Sequence, residues 1–334
     1  MNPLNRLQIF VFVLLLSVAG TASAQTILPA LGSSRSGTSG FQFLKIPVDP
    51  RAAGMGNSSI ADALDGSSLY WNPALTSQMP RSQVYMAHTA YFVDIPILFT
   101  GYVQRFGSRA VAVSLHYLDS GDIMETTEFN PRGTGRTFRT LHMALGLTYS
   151  EQLTSLFSYG VTAKYATERI ENISFSAPLV DMGFFYKVGD TGLRFAVGVN
   201  NFGFDASPSG ETTRITLDGE TKESDFERVS PPTTFTLGAA YDVVQGDMYN
   251  LLLTGQLTNP SDNSERLSLG TEFRFMNQFF LRTGYEFGVD EAILPAFGAG
   301  VRVPIIGRDL SMNYGFTTRE RLGPLHRVSI LIGL

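Results

Sequence analysis

The sequence has no cysteine, a single tryptophan (Trp71), and charged side chains at only 16% of its 334 positions. Without cysteine there is no disulfide, no thiol catalysis, no Cys-based metal site and no lipoprotein anchor. The four histidines, His88, His116, His142 and His326, are scattered without metal-ligand spacing, so no metal and no cofactor is expected. A net charge of −5 gives no basic footprint, which argues against a nucleic-acid partner. Beyond the first 24 residues no apolar run is long enough for a transmembrane helix. Glycine (33 residues), phenylalanine (25) and tyrosine (13) are plentiful instead. That balance suits a β-barrel with apolar and aromatic groups toward lipid and small or polar groups toward its interior.

The N-terminus reads as a secretory leader. Arg6 precedes an apolar core at Ile9–Ala19, and Ala22-Ser23-Ala24 fits the small-residue cleavage rule. The apolar core is too short to cross a bilayer comfortably. Residues 1–24 are therefore expected to be a signal peptide cleaved near Ala24, and residues 25–40, rich in Ser and Gly, a flexible linker.

From residue 82 to 334 apolar residues recur at every second position in segments of about ten, the length a tilted transmembrane strand requires. In 140–149, Leu141, Met143, Leu145, Leu147 and Tyr149 share one face, opposite Thr140, His142, Ala144, Gly146 and Thr148. The alternation runs through Val328, Ile330, Ile332 and Leu334. It predicts 14 strands, at 82–92, 96–106, 109–119, 139–149, 157–168, 178–187, 192–201, 233–243, 248–258, 265–275, 278–287, 294–303, 309–318 and 325–334. An even number is expected of a single-chain bacterial barrel. With the first strand running outward, one side has only short links. The other carries 120–138, 169–177, 202–232, 259–264, 288–293 and 319–324, the asymmetry of periplasmic turns and outer loops. The expected fold is thus all-β, a transmembrane antiparallel barrel over 82–334 in the bacterial outer membrane, with lipid around it.

Charges on a lipid-facing mid-membrane position cost about 2–4 kcal/mol, so those in the strands should face inward. Lys164, Asp181, Arg194, Glu272, Arg274, Arg282, Glu286 and Arg302 all fall opposite the apolar face. Their mixed signs favour a salt-bridge network across the lumen over an ion-selective ring. Small inner-face residues, among them Ala112, Ala144, Gly238, Gly270 and Gly300, leave room for something inside. Phe185, Leu252 and Phe280 are apolar exceptions able to line a small pocket. Ser114 and His116 share a strand face as a nucleophile and base would, but that face is the polar one, which suits lumen lining. No catalytic constellation emerges, and the chain is not expected to be an enzyme.

Residues 41–81 are different in kind, lacking the two-residue alternation. Asp49-Pro50 reads as a helix start, 61–64 as a helical turn, and Trp71-Asn72-Pro73-Ala74 as a sharp change of direction, because Pro73 pushes Asn72 out of the α region. Gly54 and Gly56 allow tight turns or close backbone approach, but Ser59 stands where a dinucleotide-binding loop needs its third glycine. This segment is expected to plug the barrel, Asn72 and Asp65 bonding to lumen groups and Arg274, Arg282 or Arg302 facing Asp65. The polar run in 202–232 is long enough to suggest a partner-binding surface.

Three pieces of the segment, Phe43-Leu44-Lys45-Ile46, Arg51-Ala52-Ala53-Gly54-Met55-Gly56 and Leu69-Tyr70-Trp71-Asn72-Pro73-Ala74, resemble the N-terminal signature of the PorV/PorQ family, relatives of the FadL-type outer-membrane transporters. The resemblance implies a 14-strand FadL-like barrel with an N-terminal hatch. It also implies one of two functions. The first is a type IX secretion component that binds cargo or other machinery proteins. The alternative is a channel for a hydrophobic ligand, with residues 41–81 as its hatch.

Overall fold

The computed structural model describes residues 39–334 except 129, 217–218, 290–291, 293 and 306–307. The expected leader, its cleavage after Ala24 and all of the linker up to residue 38 lie outside the described residues. Fourteen strands close into one antiparallel barrel. They are β1 (Gln83–Ala90), β2 (Pro96–Phe106), β3 (Arg109–Asp119), β4 (Thr140–Gln152), β5 (Phe157–Ile170), β6 (Ile173–Lys187) and β7 (Leu193–Gly203). The second half comprises β8 (Thr234–Val244), β9 (Tyr249–Pro260), β10 (Arg266–Phe275), β11 (Phe279–Phe287), β12 (Ala296–Ile305), β13 (Arg308–Arg319) and β14 (Gly323–Gly333). Each strand pairs with its sequence neighbours, and β1 pairs with β14 from Gln83↔Gly333 to Ala90↔His326, so no edge is left open.

The alternation in the sequence is the alternation of the barrel wall. In β14, Val328, Ile330 and Ile332 are exposed outward, while Arg327, Ser329 and Leu331 are buried inward. Aromatic side chains gather on the outer surface near the short-turn end, where Phe106, Tyr149, Tyr186, Tyr241, Tyr249 and Phe279 sit at or close to strand termini. Such a girdle marks a lipid–water boundary.

The loops differ from expectation in one place. Residues 169–177 are no loop, because β5 and β6 continue until only Glu171 and Asn172 separate them, with Glu171 at φ 52°. This hairpin projects beyond the wall and meets the long connection after β7 through an antiparallel bridge between Ser174 and Ser209. That connection carries its own hairpin, Thr212–Thr216 with Gly219–Glu223. Another short one, Ile123–Met124 with Thr137–Phe138, lies between β3 and β4.

Residues 39–81 run through the barrel from the long-loop mouth to the short-turn mouth. At the first, Gly40 N–H donates to the Ser230 carbonyl (3.0 Å). At the second, the Arg105 guanidinium bonds the Met79 carbonyl. Between them stand a 3-10 turn at Gln42–Lys45, helix α1 (Pro50–Gly54), helix α2 (Ser68–Trp71) and a 3-10 turn at Pro73–Gln78. Asp49 caps α1 by accepting from Arg51 N–H (3.0 Å) and Ala52 N–H (3.1 Å), and Pro50 occupies the first turn, where its missing N–H costs nothing. Residues 61–64 form a turn rather than a helix, and the helical turn comes later, at α2. Asn72 is extended (φ −157°, ψ 109°) between α2 and the turn that Pro73 begins.

Candidate functional site

The lumen wall is cut to fit this segment. Among inner-face glycines, Gly284 lies against the Met55 carbonyl, Gly160 against the Pro73–Ala74 peptide and Gly298 against Gly54. A Cβ at Gly284 or Gly160 would stand 2.2 or 2.4 Å from backbone, an approach that only glycine permits, and one at Gly298 would make a tight 3.2 Å contact with Gly54. Gly238 and Gly270 do the same for Ile60 and Met55, whereas Gly300 leaves room for Asn313 and Arg282 of the wall itself. Gly56 is required twice over, by a positive φ of 64° and by the Tyr285 backbone beside it.

Asn72 is completely buried and ties three pieces together. Its Nδ2 donates to the carbonyls of Ile60 (3.1 Å) and of Phe184 in β6 (3.3 Å), and its Oδ1 accepts from Ala74 N–H (3.0 Å). The hydroxyls of Ser150 and Ser158 both donate to the Ala74 carbonyl at 3.1 Å. The turn at Pro73 and Ala74 thereby presents backbone acceptors that β4 and β5 satisfy. Trp71 is half-buried beside Tyr70, with ring centroids 5.1 Å apart, and its indole N–H finds no acceptor among the described residues.

The inward charges form separate groups, two of them completed by the segment. Glu272, 1% exposed, accepts from Arg282 (2.5 Å), Arg274 (2.6 Å) and, from the segment, Arg51 (2.9 Å). Arg51 also pairs with Asp62, which reaches Arg194 of β7 at 2.9 Å and Arg274 of β10 at 3.6 Å. Glu286 joins Arg266 (3.1 Å) and Arg319 (3.4 Å) and accepts from the Asn57 amide (3.0 Å). Arg302 stacks at 5.3 Å from the Phe280 ring and donates to Ser311 Oγ (3.3 Å).

Lys164 and Asp181 pair at 2.5 Å for a local reason. The ladder between β6 and β7 slips between Val180 and Met182, and Asp181 Oδ1 accepts the Asn201 N–H (2.7 Å) that the slip sets free. Lys164 also donates to Asn201 Oδ1 at 3.1 Å.

Asp65 corrects the expectation. Its Oδ1 accepts from Ser67 N–H (2.9 Å) and Oγ (2.5 Å) at the start of α2, and it forms no ion pair with Arg274, Arg282 or Arg302. The segment carboxylate that meets an arginine of the wall is Asp62. Arg51 and Asp62 escaped sequence reasoning, although a signal existed: five cations against three acids among the inward strand charges called for further acid from inside. Phe185 and Leu252, each 1% exposed, are packed in one apolar cluster with Ile60, Ala61, Ala63, Ala74 and Leu75. Ser114 and His116 face inward, with His116 among Phe43, Tyr70 and Phe99. Among the described residues no group of three or more acidic or His side chains has the arrangement of a metal site.

At the long-loop mouth the segment is held by Asp262, in the connection after β9. This carboxylate accepts from Lys45 Nζ (2.7 Å), Gln42 Nε2 (2.7 Å) and the Ser39 hydroxyl. Phe41 N–H donates to Glu168 of β5 (3.1 Å), and its ring meets Phe175 edge-on at 5.1 Å.

Solved structures with the same fold include the toluene transporter TbuX of Ralstonia pickettii, with 12% identity and TM-score 0.56 over 85% of this chain and 96% of that one. The toluene transporter TodX of Pseudomonas putida aligns with 13% identity and TM-score 0.54, over 85% and 96%. A Pseudomonas aeruginosa FadL homologue aligns with 11% identity and TM-score 0.55, over 86% and 98%. At these identities the likeness concerns the fold. No curated protein matches the sequence. The family described as "Type IX secretion system protein PorV" matches residues 31–259, well over half of the chain. With the FadL-like barrel around it, that match identifies the chain as an outer-membrane protein belonging to the PorV family.

Proposed function

We propose that this barrel is a non-enzymatic component of a type IX secretion system, that residues 41–81 are its plug, and that it binds cargo or machinery proteins through its outer loops and lumen mouth. The observation that carries this reading is how the lumen is filled. Plug and wall share buried ion pairs at Glu272 and Asp62, interlocking glycines and the Asn72 bonds, so the interior is built to stay closed. A conduit for hydrophobic molecules needs an apolar pocket. Here the apolar inner residues Phe185 and Leu252 are used in packing, and the cavities of about 280 and 660 Å3 at the two mouths are lined by arginines, aspartates and glutamates as much as by apolar groups. The channel reading retains the common fold with the hydrocarbon transporters in its favour. The loop surface supports partner binding, with Phe204 83% exposed at the base of the connection between β7 and β8.

The experiment is extraction in mild detergent followed by identification of what co-purifies with wild type and with a variant whose 205–229 connection is replaced by a short Gly-Ser link. Secretion proteins bound to the wild type and lost from the variant support the proposal. Bound hydrophobic small molecules without any protein would replace it with the channel reading.

A further inference from the structure

We propose that the cavity at the short-turn mouth is a binding site for a carboxylate arriving from the periplasmic side. The cavity holds about 280 Å3 between the end of the plug and β10–β14, close to the lower limit of the ~300–1,000 Å3 typical of small-ligand sites. On its wall two guanidinium groups share one ring, Arg282 at 5.2 Å and Arg302 at 5.3 Å from the Phe280 centroid. Their commitments differ. Arg282 is buried and bonded to Glu272 (2.5 Å) and Asn313 (2.9 Å). Arg302 is exposed to the cavity, and among the described residues its side chain hydrogen-bonds only Ser311 and has no carboxylate within ion-pair distance.

The neighbouring acids cannot serve it. Glu272 is already shared by three arginines, Asp309 faces Arg81 at 3.6 Å, and Asp65 is bonded to Ser67. The result is a planar fork held on an aromatic platform, beside a second cation, with its donors open to a water-accessible cavity. A carboxylate matches that fork with two parallel hydrogen bonds and offsets the repulsion between the two guanidiniums. The carboxylate belongs to a free small acid or to a polypeptide, and the test separates the two. The site lies at the opposite mouth from the outer loops and does not depend on the secretion reading.

The test uses the full-length protein in detergent and the fluorescence anisotropy of a labelled Gly-Asp-Glu peptide, with an amidated Gly-Asn-Gln peptide for comparison and succinate as competitor. The acidic peptide should bind at least tenfold more tightly than the neutral one. Arg302→Ala should weaken its binding tenfold or more, and Arg302→Lys should do so partially, since an ammonium keeps the charge but loses the fork. Arg321→Ala, at the other mouth, should leave it unchanged. Heat-modifiable gel migration reports that each variant is folded. Displacement by succinate assigns the site to free acids. Failure of succinate to displace a peptide whose binding still requires Arg302 assigns it to polypeptides. Equal binding of the two peptides, no binding of any probe, or wild-type binding by folded Arg302→Ala overturns the proposal.

Discussion

Glu272 faces three guanidiniums with one carboxylate, and its replacement shows how buried charge behaves in a lumen. In Glu272→Gln, the buried Arg51 and Arg282 and the half-buried Arg274 would lose their shared counter-charge. Removing one partner of a buried ion pair costs about 3–5 kcal/mol. The thermal unfolding midpoint in detergent should therefore fall markedly, while Glu171→Gln, in the exposed β5–β6 hairpin, should leave it where it is. Glycine gives a second residue-scale prediction. A Cβ at Gly284 would stand 2.2 Å from the Met55 carbonyl carbon, whereas at Gly255 it meets only Leu269, at an ordinary 3.5 Å. Gly284→Ala should lower stability by about 1–3 kcal/mol, as overpacking does, and Gly255→Ala should be neutral by the same melting assay. Equal effects of the two would mean that Met55 does not lie against β11.

At the scale of the element, the segment 39–81 is hydrogen-bonded to the wall near its short-turn end and held by Asp262 at the other. Ser77 N–H lies 3.3 Å from Ser150 Oγ, near the short-turn end. The native chain has no cysteine to interfere, so Ser77→Cys with Ser150→Cys should crosslink on mild oxidation and change gel mobility. Free labelling of both thiols by a bulky water-soluble reagent would place the plug elsewhere. The latch at Asp262 responds to pH. Burial works to raise its carboxyl pKa, but bonds from Gln42, Lys45 and Ser39 outweigh it and bring the pKa below the ordinary 3.8. A carboxyl whose folded pKa is depressed stabilises the latched state above its unfolded pKa, and that contribution disappears as pH falls through the folded value. Proteolysis near residues 39–45 should accordingly be slow at neutral pH and quicken in strong acid. Asp262→Asn should be cut readily at every pH.

For the whole molecule, the decisive surface is the one turned to lipid. Ile330 and Ile332, 43% and 37% exposed, lie on the outer face of the strand that closes the barrel against β1. Changing both to Asp puts two charges toward hydrocarbon, each unfavourable by up to about 2–4 kcal/mol at mid-membrane depth and less near the interface. The double variant should fail to appear as heat-modifiable protein in the outer membrane. Ser329→Asp, turned inward, should assemble better than either outward change alone. Normal assembly of the double variant would refute the strand register.

The sequence determined the wall because a strand in a barrel repeats every two residues, and water, lipid and lumen sort its two faces without reference to any distant contact. Strand number, inward charges and the capped turn at Asp49-Pro50 all follow from such local rules. The β5–β6 hairpin is not legible in the sequence, because Ile173, Phe175 and Ala177 continue the alternation beyond the membrane, where no local rule says that pairing should persist. The lumen belonged to tertiary structure. Arg51 meets Glu272 across 221 positions of sequence, and Asp62 is chosen over Asp65 only because the path of residues 39–81 points Asp62 at Arg194 and Arg274, while Asp65 precedes α2 and turns to Ser67. Which carboxylate finds a cation is a matter of closure, and the spacing of residues along one chain holds no record of which strand lies opposite.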